Sequence, residues 1–415
     1  MHILVRKYGG TSVADTDRVR DVARSLAEVC RDRPTVVVVS AQGGTTDELL
    51  RKAADVGGSA AGREIDQLLA TGESASAALL ALALTALGVP AVSLTGGQAG
   101  ISAIGPAGEG RIAEVATDRI RRLLERGQVV VVAGFQGTDA DGDVLTLGRG
   151  GSDTTAVALA AALGAPACEI YTDVDGVYSA DPRIVPTARP LPEVAIDVMV
   201  EMAFAGATVL HSRAVELAAA RAIEVRVRSS FHDGPETVIP KGSGSPMLES
   251  CGVLAVAHDL DVTRVLIRCD RTPQDPAVAV LDVFARHHAP VDLVARSGPY
   301  EDEFRMGFTM RRSDVARVAA DLHQVVSAAG GTVRLDEEVA KVSLIGTGLL
   351  NRPQYTAQML SALADAGIAT SWVSTSQLRT SVTVPGHRAQ DAVLLLHKEF
   401  ELDGERLAAD SMTHV

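Results

Sequence analysis

Apolar runs that end in glycines and hydroxyls, each followed by a helical pattern, recur through the first part of the chain and constrain its fold more than any other feature. His2 to Val5 leads into Arg6-Lys7-Tyr8-Gly9-Gly10-Thr11-Ser12 and then a helical pattern from Asp15 to Arg31. Thr35 to Val39 ends in Ser40-Ala41-Gln42-Gly43-Gly44-Thr45-Thr46-Asp47, and Ala91 to Leu94 ends in Thr95-Gly96-Gly97-Gln98-Ala99-Gly100. Gln128 to Ala133 ends in Gly134-Phe135-Gln136-Gly137, and Ala167 to Tyr171 ends in Thr172-Asp173-Val174-Asp175-Gly176-Val177-Tyr178. Short Val-rich runs read as buried strands, and strands alternating with helices imply an α/β fold with a largely parallel sheet. Such sheets bind ligands at the carboxyl ends of their strands, so the glycine turns are expected to face one cleft.

The densest of these turns is Leu147-Gly148-Arg149-Gly150-Gly151-Ser152-Asp153-Thr154-Thr155, set before the alanine-rich helical run Ala156 to Leu163. Glycines that open a helix leave backbone amides and the helix dipole facing an anion. Arg149 offers a flat fork for a carboxylate or phosphate, and Asp153 suits an ammonium group or a metal. Taken alone, the stretch reads equally as a tight turn with a capping Ser or Asp. Lys7 precedes its glycines instead of following them, so its loop is not a Walker A loop, yet it would reach a transferring phosphate. Glu73, in Thr71-Gly72-Glu73 after a helical pattern from Arg63 to Ala70, is by itself no more than a charge opening the next helix. An amphipathic helix is expected from Ile112 to Arg126.

A formal charge of −13 and a pI near 5.3 argue against a nucleic-acid binder, which gathers Lys and Arg against phosphates. The four cysteines, Cys30, Cys168, Cys251 and Cys269, have no C-x-x-C spacing, so neither a zinc site nor a disulfide framework is expected, and a reducing cytoplasm fits best. Met1 to Tyr8 lacks the apolar stretch of a secretion signal. Ala75 to Leu94 is long and apolar, but Gly88-Val89-Pro90 interrupts it, so a buried helix running into a strand is expected in place of a membrane span.

Lys7 to Ser12, Val39-Ser40-Ala41, Thr71-Gly72-Glu73, Gly148 to Thr155, Tyr171 to Tyr178 with Asp181-Pro182-Arg183, and Gly206 to Arg213 occur together and in order. In that combination residues 1 to about 240 resemble aspartate kinase, of the amino acid kinase superfamily. The resemblance implies the amino acid kinase fold, a mainly parallel sheet sandwiched by helices. It also implies ATP and Mg2+ as cofactors, and transfer of a γ-phosphoryl group to the side-chain carboxylate of L-aspartate or a similar small acidic amino acid. A carboxylate is already ionised at neutral pH, so alignment and charge neutralisation carry such a transfer and no general base is needed.

By the same resemblance Lys7, Gly9, Gly10 and Ser12 contact the transferring phosphate, and Thr172, Asp173, Tyr178 and Arg183 contribute to the nucleotide pocket. Arg149 grips the α-carboxylate, and Ser40, Thr45, Glu73, Phe135, Ser152 and Asp153 line the rest of the acceptor pocket, Glu73 facing its ammonium group. Lys7, Arg149 and Asp153 are the expected catalytic set. No protein metal cluster is expected, because magnesium bridges nucleotide oxygens and keeps most of its waters. Read without the resemblance, Tyr178 and Phe135 are core residues, Arg183 a surface ion-pair member, and Asp173 a turn residue.

The resemblance has departures. Thr208 stands where the family carries a nucleotide-holding lysine, and Ser102-Ala103-Ile104-Gly105 lacks the usual Thr-Asp. A kinase of the same fold with a related acceptor, and a catalytically silent amino-acid-binding subunit, therefore stay open as alternatives.

Gly, Pro, Ser and Asp dominate Phe231 to Cys251, as in a linker, and a βαββαβ order then runs twice, weakly. This half resembles the paired ferredoxin-like ACT domains (α+β) of aspartate kinases. The expected division is a catalytic domain over 1–240, a linker over 241–258, a first ACT domain over 259–335 and a second over 336–415, its C-terminal segment returning to the first. Arg271-Thr272-Pro273-Gln274-Asp275-Pro276 replaces the family's Asp-Lys-Pro-Gly turn, Arg296-Ser297 its Gln-Asn, and Ser374 to Arg379 alters its acidic and basic positions. Weak or absent feedback by lysine or threonine is expected, as in a paralogue of a specialised pathway, with a homodimer formed through the ACT domains and no nucleic-acid or membrane partner.

Overall fold

The computed structural model describes residues 2–57, 62–207, 209–242, 252–270, 276–297 and 303–404. Thr208 and residues 271–275 lie outside the described residues. The chain divides into two compact units, one of Met1–Val177, Pro190–Phe204 and Thr208–Pro246, the other of Tyr178–Arg189, Ala205–Ala207 and Met247–Val415.

The first unit runs β1 (Leu4–Tyr8), α1 (Thr16–Val29), β2 (Thr35–Val39), α2 (Thr45–Asp55), α3 (Arg63–Ala86), β3 (Ala91–Leu94), β4 (Ile101–Ile104) and β5 (Arg111–Val115). It continues through α4 (Asp118–Glu125), β6 (Val129–Ala133), β7 (Gln136–Thr138), β8 (Val144–Thr146), α5 (Gly151–Leu163) and β9 (Ala167–Thr172). Helices α6 (Ile196–Phe204) and α7 (Ser212–Arg221) and strands β10 (Glu224–Ser229) and β11 (Thr237–Ile239) complete it. The main sheet has seven strands in the order β11-β10-β9-β1-β2-β6-β3, all parallel except β11. Strands buried on both faces read as unbroken apolar runs, which is why β2 is Thr-Val-Val-Val-Val and β6 Val-Val-Val-Val-Ala, every residue buried. Helix α1 buries Val19, Val22, Ala23, Leu26 and Ala27 as one stripe, and Asp15 caps it by accepting from the Arg18 amide at 2.9 Å.

Two expected elements take another form. Residues 111–126 split into β5 and α4, because Arg111–Val115 pairs antiparallel with β4. A smaller sheet, β5-β4-β7-β8, results. Thr71-Gly72-Glu73 does not open a new helix: α3 runs unbroken over 24 residues, with Gly72 and Glu73 buried at its middle. By length and composition α3 would cross a membrane, but 50% of that stretch is buried in this unit, with Leu80 and Leu84 in the same core cluster as α1, β2 and β6.

The second unit holds β12 (Gly252–Asp259), β13 (Val262–Asp270), α8 (Pro276–Arg286), β14 (Val291–Arg296), β15 (Glu303–Arg311), α9 (Arg312–Ala328) and β16 (Gly331–Asp336). After these come β17 (Val339–Thr347), α10 (Pro353–Asp365), β18 (Val373–Thr375), β19 (Arg379–Pro385) and α11 (Ala389–Glu399). The first repeat is a βαββαβ unit with sheet order β14-β15-β13-β16. The second has only βαββα of its own, and β12 completes its sheet in the order β12-β17-β19-β18. Residues 252–258, expected in the linker, are therefore a strand of the second repeat. Tyr178–Arg189 also joins this unit: Ala180 and Val185 pack in the core of the second repeat, and Ser179 Oγ lies 2.9 Å from His397 Nε2 on α11.

Leu84 is fully buried on α3 and Leu82 is 67% exposed. Leu84→Ala is expected to destabilise the first unit by about 2–5 kcal/mol. Leu82→Ala should cost less than about 0.5 kcal/mol. Scanning calorimetry of the two variants checks the contrast.

Candidate active site

The parallel strands deliver the turns to one rim. Tyr8 stands beside Val39 and Tyr171, and Val39 beside Ala133, so β1, β2, β9 and β6 end level with one another. The turns are tied across the rim by backbone bonds: Ser40 N–H to the Tyr8 carbonyl at 3.1 Å, Gly134 N–H to Val39 at 3.0 Å and Gly43 N–H to Gly10 at 3.1 Å. Gly9 N–H is engaged the same way, donating to the Tyr171 carbonyl at 3.1 Å. The Gly10 amide makes no hydrogen bond among the described residues. Gly10 itself is required by space, because a Cβ there would come within 2.8 Å of the Ala41 carbonyl oxygen.

Lys7 is the penultimate residue of β1. Its Nζ lies 2.6 Å from Asp153 Oδ1, in the first turn of α5, and both side chains are about 11% exposed. No side chain caps α5, and the Ser152 and Asp153 amides are unpaired among the described residues. An ammonium group thus stands beside free helix N-terminal amides, the electrostatics expected of an anion site. Ser12 adds a hydroxyl that is buried and without a hydrogen-bond partner among the described residues.

Glu73 reaches the rim from the middle of α3. Its Oε1 accepts from the Ala41 amide at 3.1 Å, while Oε2 is buried without a partner among the described residues. Burial pushes the carboxyl up to about 7, a shift the Ala41 hydrogen bond only partly offsets. A half-satisfied buried carboxylate is stabilised by an incoming cation. Ser40 immediately precedes Ala41 in the chain. Thr45 sits at the start of α2 with its hydroxyl proton already given to the Gln42 carbonyl at 2.6 Å.

Phe135 has a left-handed backbone, φ +67, unusual for a bulky residue. That turn is held at both ends: the Phe135 amide donates to Thr155 Oγ1 at 3.2 Å, and its carbonyl accepts from Leu147 N–H at 2.8 Å. Its ring packs against the Ala53, Ile65 and Leu69 cluster. Arg149 lies between Gly148 and Gly150, both left-handed, at φ +71 and +70. Its guanidinium is exposed and has no hydrogen bond or ion pair among the described residues. A side chain at Gly150 would strike the His211 ring at 2.2 Å.

Lys7, Gly10, Ser12, Ser40, Glu73, Ser152 and Asp153 thus come together at one rim, with Arg149 on the loop leading into α5. Thr172 ends β9 at the same level, its hydroxyl donating to exposed Asp173 at 3.0 Å. Tyr178 and Arg183 belong to the second unit, where Arg183 pairs with Asp181 at 2.7 Å. Two contributors were not singled out from the sequence as site residues. Asp66 and Arg213 hold the Arg149 loop; the only sequence hint was Arg213 closing the Gly206 to Arg213 motif. Among the described residues no group of three or more His, Cys, Asp and Glu is gathered for a metal.

The family model described as the amino acid kinase family matches residues 2–229, and an ACT domain model matches residues 342–400. An aspartokinase of Thermus thermophilus is 42% identical over 409 residues, covering 97% of this chain and 100% of its own length. One of Mycolicibacterium smegmatis is 43% identical over 410 residues, covering 98% of this chain and 97% of its own. The crystal structure of E. coli aspartokinase III in complex with aspartate and ADP (R-state) superposes with a TM-score of 0.82 at 26% identity, over 96% of this chain and 100% of the other.

Glu73 gives the site a pH signature. Between its ordinary 4.5 and about 7 the folded chain keeps a proton that the unfolded chain releases. Stability from this group therefore falls as pH rises through that window, and the full penalty is present above it. Glu73→Gln is expected to remove that component, read as a flatter dependence of melting temperature on pH.

Proposed function

The chain belongs to the amino acid kinase family, as one of its aspartokinases, and from that premise we propose which residues of the rim do what. The reaction is ATP-dependent phosphorylation of the side-chain carboxylate of L-aspartate to 4-phospho-L-aspartate. The observation that carries the assignment is the buried Lys7–Asp153 pair beside the unpaired N-terminal amides of α5.

Lys7, the Gly10 amide and the Ser12 hydroxyl take the transferring phosphate. Lys7 neutralises the charge that spreads over its oxygens as it moves, and Asp153 holds the ammonium group in place. Gly9 shapes the turn, its amide donating to the Tyr171 carbonyl. Arg149 takes the α-carboxylate as a fork, and Glu73 takes the ammonium group, for which its unpaired Oε2 is suited. Ser40, Thr45, Phe135 and Ser152 close the acceptor pocket. Thr172 and Asp173 are assigned to the nucleotide. Mg2+ bound with the nucleotide would offset the phosphate charge, and the Ser12 hydroxyl and the Gly10 amide would suit a phosphate so neutralised. The acceptor oxygen attacks as it stands, so each of these residues binds or orients and none removes a proton.

Val278, Leu281 and Val294 expose apolar surface on the first repeat, which supports a homodimer built through the ACT domains. Sedimentation velocity of the full chain should give a dimer mass, and a monomer at micromolar concentration would count against this assembly.

Lys7→Met is expected to lower kcat by about 100-fold or more, as does removal of a donor aimed at developing charge. ADP release coupled to hydroxylamine trapping of the acyl phosphate reads it, and wild-type turnover with glutamate or succinate but not aspartate would overturn the acceptor assignment.

A further inference from the structure

Asp66 has no exposure to solvent and no cation partner among the described residues. A carboxylate taken out of water this completely is costly unless donors replace the lost hydration. It has three. Thr146 N–H donates to Oδ2 at 2.8 Å, Gly108 N–H to the same oxygen at 3.0 Å, and the Thr146 hydroxyl to Oδ1 at 2.8 Å. All three donors belong to the segments that lead into and lie against the Arg149 loop.

The bonds around that loop form a closed set. The Thr146 amide goes to Asp66 and its carbonyl accepts from Gly110 N–H at 2.8 Å. The Leu147 amide goes to the Phe135 carbonyl at 2.8 Å, and its own carbonyl accepts from Arg213 Nη1. Arg213 Nη2 donates to the Gly110 carbonyl at 2.8 Å, so one guanidinium bridges the two sides of the loop's base. Every backbone polar group of Thr146 and Leu147 is fixed, and both residues are buried. Just beyond them Gly148 turns left-handed with the Gly108 carbonyl close by, 3.0 Å from where a Cβ would stand. Arg149 follows, unpartnered.

We infer that Asp66 and Arg213 are positioning residues for the acceptor amino acid: together they clamp the base of the Arg149 loop from opposite sides and so set where its guanidinium fork stands. Neither touches the ligand. The inference rests on the assignment of Arg149 to the α-carboxylate. Asp66 projects from α3, the helix that also carries Glu73, so one rigid rod holds both the group facing the ammonium and the anchor of the group facing the carboxylate. The spacing of the two contacts on the zwitterion is thereby built into the 24 residues of α3.

Asp66→Ala, Asp66→Asn, Arg213→Lys and Arg149→Ala, each in the full-length chain, test this by steady-state kinetics in both substrates with melting temperature as a fold control. Asp66→Ala should lower kcat/KM for aspartate by about 10- to 100-fold, the range expected when a positioned group moves by about an ångström. The KM for ATP should stay within about twofold, a split that general loss of structure would not give. Asp66→Asn should restore most of the loss, its one oxygen serving the two converging amides and its NH2 the Thr146 hydroxyl. Arg213→Lys, which keeps the charge but not the two-carbonyl fork, should show the same aspartate-selective loss even if Asp66→Ala fails to fold. Equal changes in both KM values, or a normal KM for aspartate in a folded Arg213→Lys, would overturn the inference. If Arg149→Ala itself leaves the aspartate KM unchanged, the assignment of Arg149 falls and the inference with it; if only the Arg149 variant is impaired, the inference falls alone.

Discussion

Everything at the rim is referred to β1, because that strand is hydrogen-bonded in parallel on both sides and its register fixes where the neighbouring turns end. Side chains alternate along a strand, so Lys7 points to α5 while Tyr8 points to the opposite face, where its ring stacks on Tyr171 at 4.8 Å. A slip of one residue would exchange them, placing an aromatic ring against Asp153 and an ammonium group in the apolar cluster of α1 and α3. The two faces thus enforce each other. The ion pair that results is nearly dry, and loss of either partner would leave a charge without compensation, a larger cost than the pair's own contribution to stability.

The second unit uses a buried charge differently. Asp292 on β14 faces Lys341 of β17 at 3.0 Å and Arg379 of β19 at 3.0 and 3.2 Å, so strands of both repeats meet on one carboxylate. Burial alone would raise that carboxyl, but the two cations outweigh it and hold it below the ordinary range. The backbone bends to present it: β14 is irregular between Asp292 and Ala295, and Leu293 is left-handed at φ +50. A conformation that a leucine seldom adopts persists where surrounding contacts determine it.

Much of the first unit was legible because its signals are local. Val-rich strands, glycine turns and the capping aspartate of α1 each announce themselves within a few residues. What escaped depends on partners distant in the chain. Arg111 to Val115 has enough helical periodicity to mislead, and only pairing with β4 makes it a strand. Thr71-Gly72-Glu73 looks like the start of a second helix because a glycine inside a helix is unfavourable; here α3 has space for no side chain at that point, since a Cβ on Gly72 would lie 2.9 Å from the Ala41 Cβ. The bond from the Gly9 amide to a carbonyl on β9 was not legible for the same reason. Asp66 gave no sign, since a lone aspartate in a helical pattern reads as solvated until the strand it holds is known.

The borrowed strand of the second repeat has a consequence in time. Because β12 lies ahead of the first repeat in the chain and pairs with β17 behind it, a ribosome releases β12 long before its partner exists. The first repeat is complete in itself and free to form meanwhile, its compaction shortening the span that must later close. Until β17 appears, β12 has only the bond from Val256 N–H to the Ser179 carbonyl and lacks its strand partner, an apolar segment open to wrong pairing.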